Sequence, residues 1–149
     1  MSDHTATVAW HLAPAARFDH DTFDRAHEWT FAGGEVVQAS ASPDFLGSNN
    51  RVNPDEAVIA ATSSCHMLTF LAIAAKKGLK VLSYVDRPFG TVQEDAQGRV
   101  AITRIELRPK AVFDEDVDEQ TLNRLHDSAH RNCFIANSLR SDVSVRPQR

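Results

Sequence analysis

The chain has 149 residues, 42% of them hydrophobic and 24% charged, and carries 16 Lys and Arg against 20 Asp and Glu for a net charge of −4. That length and composition predict one globular domain spanning residues 1–149. The acidic balance, with no basic run longer than Lys76-Lys77, excludes nucleic acid and other polyanions as expected partners.

In chain order, "ATVAWHL" (6–12) alternates Val8 and Trp10 with smaller or polar residues and predicts a first strand. "RAHEWTFAGGEVVQASAS" (25–42) places two β-rich runs around Gly33-Gly34, the signature of a hairpin, and "PDFLGSNNR" (43–51) reads as a loop. A long helix follows in "NPDEAVIAATSSCHMLTFLAIAAKKGL". Asn53 caps it, Pro54 opens it, Asp55 and Glu56 suit the positive end of its dipole, and Lys76, Lys77 and Gly78 close it. At 1.5 Å per residue such a helix is roughly 36 Å long and apolar around much of its circumference, which makes it central to the fold. Its alanines allow another backbone to approach closely, and dimerisation is the corresponding expectation. No apolar stretch in the chain approaches the roughly 18 residues a membrane helix needs, so no membrane partner is expected.

"LKVLSYVDRPFGTVQ" (79–93) and "RVAITRIELRPKAVF" (99–113), joined by the turn "EDAQGR", predict antiparallel neighbours. A second helix in "DEQTLNRLHDSAHRNC" (118–133) presents Leu122, Leu125 and Ala129 on one face, and "DVSVRP" (142–147) is a closing strand. Runs of strands with two segregated helices define an α+β class with antiparallel sheet.

The start, "MSDHTATVAW", has neither the positive flank nor the apolar centre of a signal peptide, so a cytoplasmic, reducing compartment is expected, where two cysteines point to reactivity, although Cys65 also reads as a small hydrophobe packed in a core helix. Cys65 sits mid-helix, beyond the reach of the macrodipole, so a thiolate there needs a nearby cation, and arginine is the best choice because it cannot neutralise itself. His66 points about 100° away from Cys65 around the helix and reads as a hydrogen-bonded core or interface histidine. His126, His130 and Cys133, with Cys65, offer two nitrogens and two sulfurs of the kind tetrahedral zinc takes, although two histidines on a polar helix face also read as simply solvated. The G-x-S-x-G elbow of a serine hydrolase is missing from the sequence.

The long cysteine helix resembles the N-P-E-E/Q…(A/S)-C-F/H segment of the OsmC/Ohr family, the osmotically inducible and organic hydroperoxide resistance proteins, and "AHRNCFIANSL" (129–139) is similar to that family's second cysteine segment. The order of elements agrees over nearly the whole chain. The resemblance implies an OsmC-like fold, with antiparallel sheets packed on the long cysteine helix and a second helix, assembled as an intertwined homodimer with active sites at the subunit interface. It implies a thiol peroxidase for organic hydroperoxides in which Cys65 is the peroxidatic cysteine and Cys133 the resolving one. Aligned on the Gly33-Gly34 turn, the catalytic arginine falls on Arg25, with Arg51 as the alternative. The family's carboxylate falls on Asp55, with Glu56 beside it. No cofactor or metal is implied, and an external dithiol, a lipoylated protein for Ohr-type relatives, restores the thiols. A zinc-binding module and a non-catalytic binding protein on the same scaffold are the competing readings.

Overall fold

Residues 2–149 are described by the computed structural model, in two compact units, one ending at Ala57 and the other Val58–Arg149. In the first unit the alternating and glycine-punctuated segments form an antiparallel sheet of β1 (Ala6–Ala9), β2 (His27–Phe31) and β3 (Val36–Ala39) in that order. Gly34 turns the β2–β3 hairpin with φ +88°, a conformation that costs a residue without Cβ nothing, and its N–H donates to Phe31 O at 2.9 Å. β1 stops at Ala9, short of the expected end. Trp10 leaves the ladder to pack on Phe18 and Phe23, ring centroids 5.8 and 6.1 Å away, while its Nε1–H donates to Asp24 O at 2.6 Å. The expected loop contains one 3-10 turn, Pro43–Phe45.

The helix α1 runs unbroken over Pro54–Lys76. Asn53 and Glu56 start it with a reciprocal capping box: Glu56 N–H donates to Asn53 Oδ1 at 2.9 Å and Asn53 N–H to Glu56 Oε2 at 3.1 Å. At the other end Leu79 N–H closes on Ala74 O at 3.0 Å. One stripe of α1, Thr62, His66, Phe70 and Ala74, is buried, whereas Ala61, Ser64, Leu68, Ala72 and Ala75 are exposed along another. The expectation that no segment reaches membrane length needs correction. An 18-residue window of α1 has mean hydropathy 1.7, enough by length and composition, because the helix's alanines, leucines and isoleucines outweigh its serines, threonines and His66 in the average. Those polar residues serve the fold, however: Ser63 and His66 hydrogen-bond side chains of other elements, as in a core helix.

In the second unit each of the two expected strand runs is divided by a proline. β4 (Val81–Val85) pairs antiparallel with β7 (Lys110–Phe113), and β5 (Phe89–Glu94) pairs antiparallel with β6 (Val100–Leu107). Pro88 and Pro109, which have no N–H to give a ladder, stand where one long hairpin would continue, and it divides into two sheets there. Asp86 staples the bend, accepting Arg108 N–H at 2.7 Å. β5 lies close on α1: a Cβ at Gly90 would come within 2.3 Å of Ile59 Cδ1.

Asp118 caps α2 (Glu119–Asn132), and a short α3 (Phe134–Ser138), absent from the sequence expectation, follows at once. β8 (Asp142–Val145) then joins β6 in parallel, not antiparallel, because the intervening helices carry the chain back to the starting edge. Phe70, Leu125 and Ala129 centre the core of this unit, with Leu71, Val81, Tyr84, Phe113 and Leu122 around them. The architecture is the α+β class the sequence indicates.

The capping box should be separable from the acidity of this helix end. Asn53→Ala should cost about 1 kcal/mol in urea denaturation, and Glu56→Gln, which can still accept from Asn53 N–H, should cost less.

Candidate active site

Cys65 and Cys133 are free and buried, 8% and 0% exposed. α1 carries the first. The second ends α2 and begins α3, an extended residue (φ −77°, ψ 96°) between two helices, and its Sγ lies 3.9 Å from Thr62 O, in the α1 turn that precedes Cys65. Burial pushes the Cys133 thiol up to about 11, against the Ala136 N–H, and the adjoining Cys65 thiol adds to the rise. Cys133 is therefore protonated at neutral pH. Two cysteines from remote parts of the sequence are thus brought side by side inside one unit.

A second polar bridge joins the same two helices. His66 Nε2 and His126 Nδ1 are 3.0 Å apart, their rings nearly parallel at 6°, and Phe70 stacks on His126 at 4.4 Å. A contact between two ring nitrogens holds one proton, so one imidazole donates and the other accepts, and both are neutral. Burial drives both pKa values down to about 4, helped by His130 for His66 and by His66 for His126, with the Asp86 carboxylate opposing at His66. The outer nitrogens, His66 Nδ1 and His126 Nε2, and the Tyr84 hydroxyl are buried without a partner among the described residues. His66 thus has the core role its sequence position suggests. His126 does not lie on a solvated face: with Leu122, Leu125 and Ala129 it completes the buried stripe of α2. Turned toward His66, it does not assemble the zinc set that the spacing allows, and among the described residues no group of three or more His, Cys, Asp or Glu side chains is arranged to hold a metal.

Sequence reasoning misses Asp86. It accepts Ser63 Oγ–H at 2.5 Å as well as Arg108 N–H, tying the α1 turn just ahead of Cys65 to the hairpin bend. The one available signal is an acidic residue in a D-R-P break between strands.

In the first unit Arg25 is held by two carbonyls, Nη1–H to Phe23 O at 2.8 Å and Nη2–H to His20 O at 2.7 Å, with its guanidinium 3.9 Å above the Phe23 ring. It lines a mostly apolar cavity of about 570 Å³ with Trp10, Phe23, His27, Phe45, Leu46 and Pro54. Arg51 is instead committed to Gln38 Oε1 at 2.5 Å, and Gln38 donates on to Glu28 at 2.6 Å. Glu56 is spent on the capping box, while Asp55 has no hydrogen-bond or ion-pair partner among the described residues. Arg25 and Asp55 form no ion pair there.

The family model described as OsmC-like protein matches residues 47–148. The chain belongs to the OsmC-like family. An OsmC-like protein of unknown function from Vibrio cholerae is 41% identical, with a TM-score of 0.94 over 99% of this OsmC-like chain and 100% of that one. The organic hydroperoxide resistance protein OhrB of Bacillus subtilis, 16% identical, shares the fold at TM-score 0.71 over 98% of each chain. An uncharacterised Bacillus subtilis protein, YmaD, is 22% identical over 117 residues, 76% of this chain and 77% of its own.

The imidazole pair makes the stability of this OsmC-like protein pH-dependent. Both values lie below the ordinary 6.5, so the unfolded chain binds protons first and stability, full above pH 6.5, is lost as pH falls toward 4. Each imidazole adds a slope approaching about 1.4 kcal/mol per pH unit in that window. Urea midpoints measured between pH 7 and 4.5 should fall more steeply for the natural protein than for His66→Gln/His126→Gln.

Proposed function

We propose that this protein is a two-cysteine peroxidase that reduces organic hydroperoxides in oxidative-stress defence. The observation that carries the reading is the pairing of two free, buried cysteines across α1 and the α2–α3 junction. The Cys65 thiolate attacks the outer peroxide oxygen: an S–O bond forms, the O–O bond breaks, and the departing alkoxide takes a proton and leaves as the alcohol. Cys133 then attacks the sulfur of the Cys65 sulfenic acid. The S–S bond forms, the S–O bond breaks, and hydroxide leaves as water with the proton Cys133 gives up. An external dithiol, a lipoylated protein by family resemblance, supplies two electrons and becomes a disulfide.

Arg25 is the guanidinium this reading assigns to the thiolate and peroxide, and Asp55, unpartnered where Glu56 is spent, is the carboxylate that orients it. The apolar lining of the Arg25 cavity suits an alkyl or lipid chain better than hydrogen peroxide, and its volume is that of a small-ligand site. The reading further takes residues 1–149 as a single OsmC-like domain, working in the reducing cytoplasm as a homodimer. The exposed stripe of α1, with Leu68 60% exposed among alanines, supports that assembly, since small residues let two helices approach closely.

Cys65→Ser should abolish turnover of cumene hydroperoxide, whereas Cys133→Ser should give one oxidation event per chain, trapped as sulfenic acid by a dimedone probe. Undiminished turnover by Cys65→Ser overturns the mechanism. Arg25→Ala should raise the pH at which Cys65 is alkylated by about one to three units and slow peroxide reduction, with Arg25→Lys intermediate. If Arg51→Ala does this instead, the role belongs to Arg51.

The assembly is checked separately. Leu68→Asp should convert a dimer to monomer in analytical ultracentrifugation, and a natural protein that sediments as a monomer refutes the homodimer.

A further inference from the structure

On β6 one face carries Arg104 and Glu106, with Arg108 just past the strand's end, and β8 places Ser144 opposite Glu106. Glu106 is 3% exposed, yet three guanidiniums converge on it. Arg108 Nε–H donates to Oε1 at 2.7 Å, Arg146 Nε is 3.1 Å from Oε2, and Arg104 Nη2–H also bonds Oε2. Arg108, then Arg104 and Arg146, hold the carboxyl below its ordinary range although burial opposes this. One carboxylate cannot accept from all the donors of three guanidiniums; of the neighbouring acids, Asp86 Oδ1 takes the Arg108 backbone N–H at 2.7 Å, and Asp142 stands opposite Arg104 on the ladder. Donors beyond what these carboxylates accept remain at Arg108 and Arg146.

The geometry of that excess is specific. Arg108 and Arg146 each use only Nε on Glu106, and their terminal Nη pairs bond nothing among the described residues. Both backbones are pinned, Arg108 N–H on Asp86 Oδ1 at 2.7 Å and Arg146 N–H on Leu107 O at 2.8 Å. The two guanidiniums hold different oxygens of one buried carboxylate, Arg108 on Oε1 and Arg146 on Oε2, which brings both to the end of the same side chain. Phe89, opposite Glu106 on β5 and half exposed, lies 5.7 Å from the Arg108 guanidinium and offers an aromatic surface beside them.

We propose that the Arg108 and Arg146 forks, held by Glu106 beside Phe89, form a binding site for a phosphate monoester whose organic group is flat and apolar. Two guanidinium forks supply more donors than the two oxygens of a carboxylate can use, and they match the three terminal oxygens of a phosphate monoester. The aromatic ring next to them takes the organic group. This site is separate from the cysteine chemistry and stands whether or not the peroxidase reading does.

Isothermal titration of the full chain with phenyl phosphate, inorganic phosphate and benzoate, at constant ionic strength in chloride, tests it. Phenyl phosphate should bind best, and Arg108→Gln and Arg146→Gln should each weaken it by about tenfold or more. Arg131→Gln, which removes the same charge from an exposed α2 position, should not. Phe89→Ala should erase the advantage of phenyl phosphate over inorganic phosphate, and circular dichroism melts confirm that each variant is folded. Absence of binding, equal binding of benzoate, or equal loss with Arg131→Gln overturns the proposal. So does a change of sedimentation in Arg146→Gln that phosphate does not compete with, which would assign the face to a second copy of the chain.

Discussion

A hydrogen bond between two buried imidazoles sets the terms for the cysteine unit. His66 and His126 meet at 3.0 Å in a place where neither can hold a second proton at neutral pH, so the α1–α2 seam exists only as a neutral pair. Phe70 stacks against it from α1 itself, giving the bridge an apolar wall on one side. Cys65 precedes His66 by one step around α1, and Cys133 ends the helix that carries His126. The spacing of the two thiols is thereby inherited from a contact between groups that take no electrons. A protein core built this way trades polar orphans, His66 Nδ1 and His126 Nε2, for a fixed helix pairing.

The bent hairpin serves the same end from the sheet side. Pro88 and Pro109 divide what would be one long ribbon, so that β4 and β7 face the α2 core while β5 and β6 form a separate sheet with β8. At the break lies Asp86, whose two oxygens serve two masters, Ser63 on α1 and the Arg108 backbone. One carboxylate therefore fixes the cysteine helix and the arginine-bearing strand together.

The strength of a sequence signal here tracks how local its cause is. α1 is legible to within a residue because its cap, its acidic first turn and its closing lysines all lie within it. The hairpin at Gly34 is legible for the same reason. β8 joining in parallel, the division of strands between sheets and the burial of His126 depend on partners far along the chain, so periodicity does not reveal them. His126 is instructive: it sits within two residues of Arg124 and Asp127 in sequence, yet at helical spacing it belongs with Leu122 and Ala129, and the wheel decides. For the site, the two cysteines are legible as residue types, while their approach is a product of tertiary packing. Asp86 is marked in sequence only by the D-R-P break it sits in, and of the arginines on Glu106 two, Arg104 and Arg108, are close in sequence while Arg146 arrives only once β8 lies beside β6.

That parallel strand also fixes an order of events in the making of the molecule. β5 and β6 are joined by a short turn and can zip as soon as both have left the ribosome, whereas β8 must wait until two helices and their connections have been synthesised. Throughout that interval the far side of β6 is an unpaired edge, with the backbone of Ile105 and Leu107 open to any extended chain nearby. Arg104 and Glu106 on the strand, and Arg108 just past it, place charged side chains beside those residues, the kind that discourages edge-to-edge pairing. The same side chains that gather on Glu106 in the finished fold thus stand beside an edge that is open until β8 covers it.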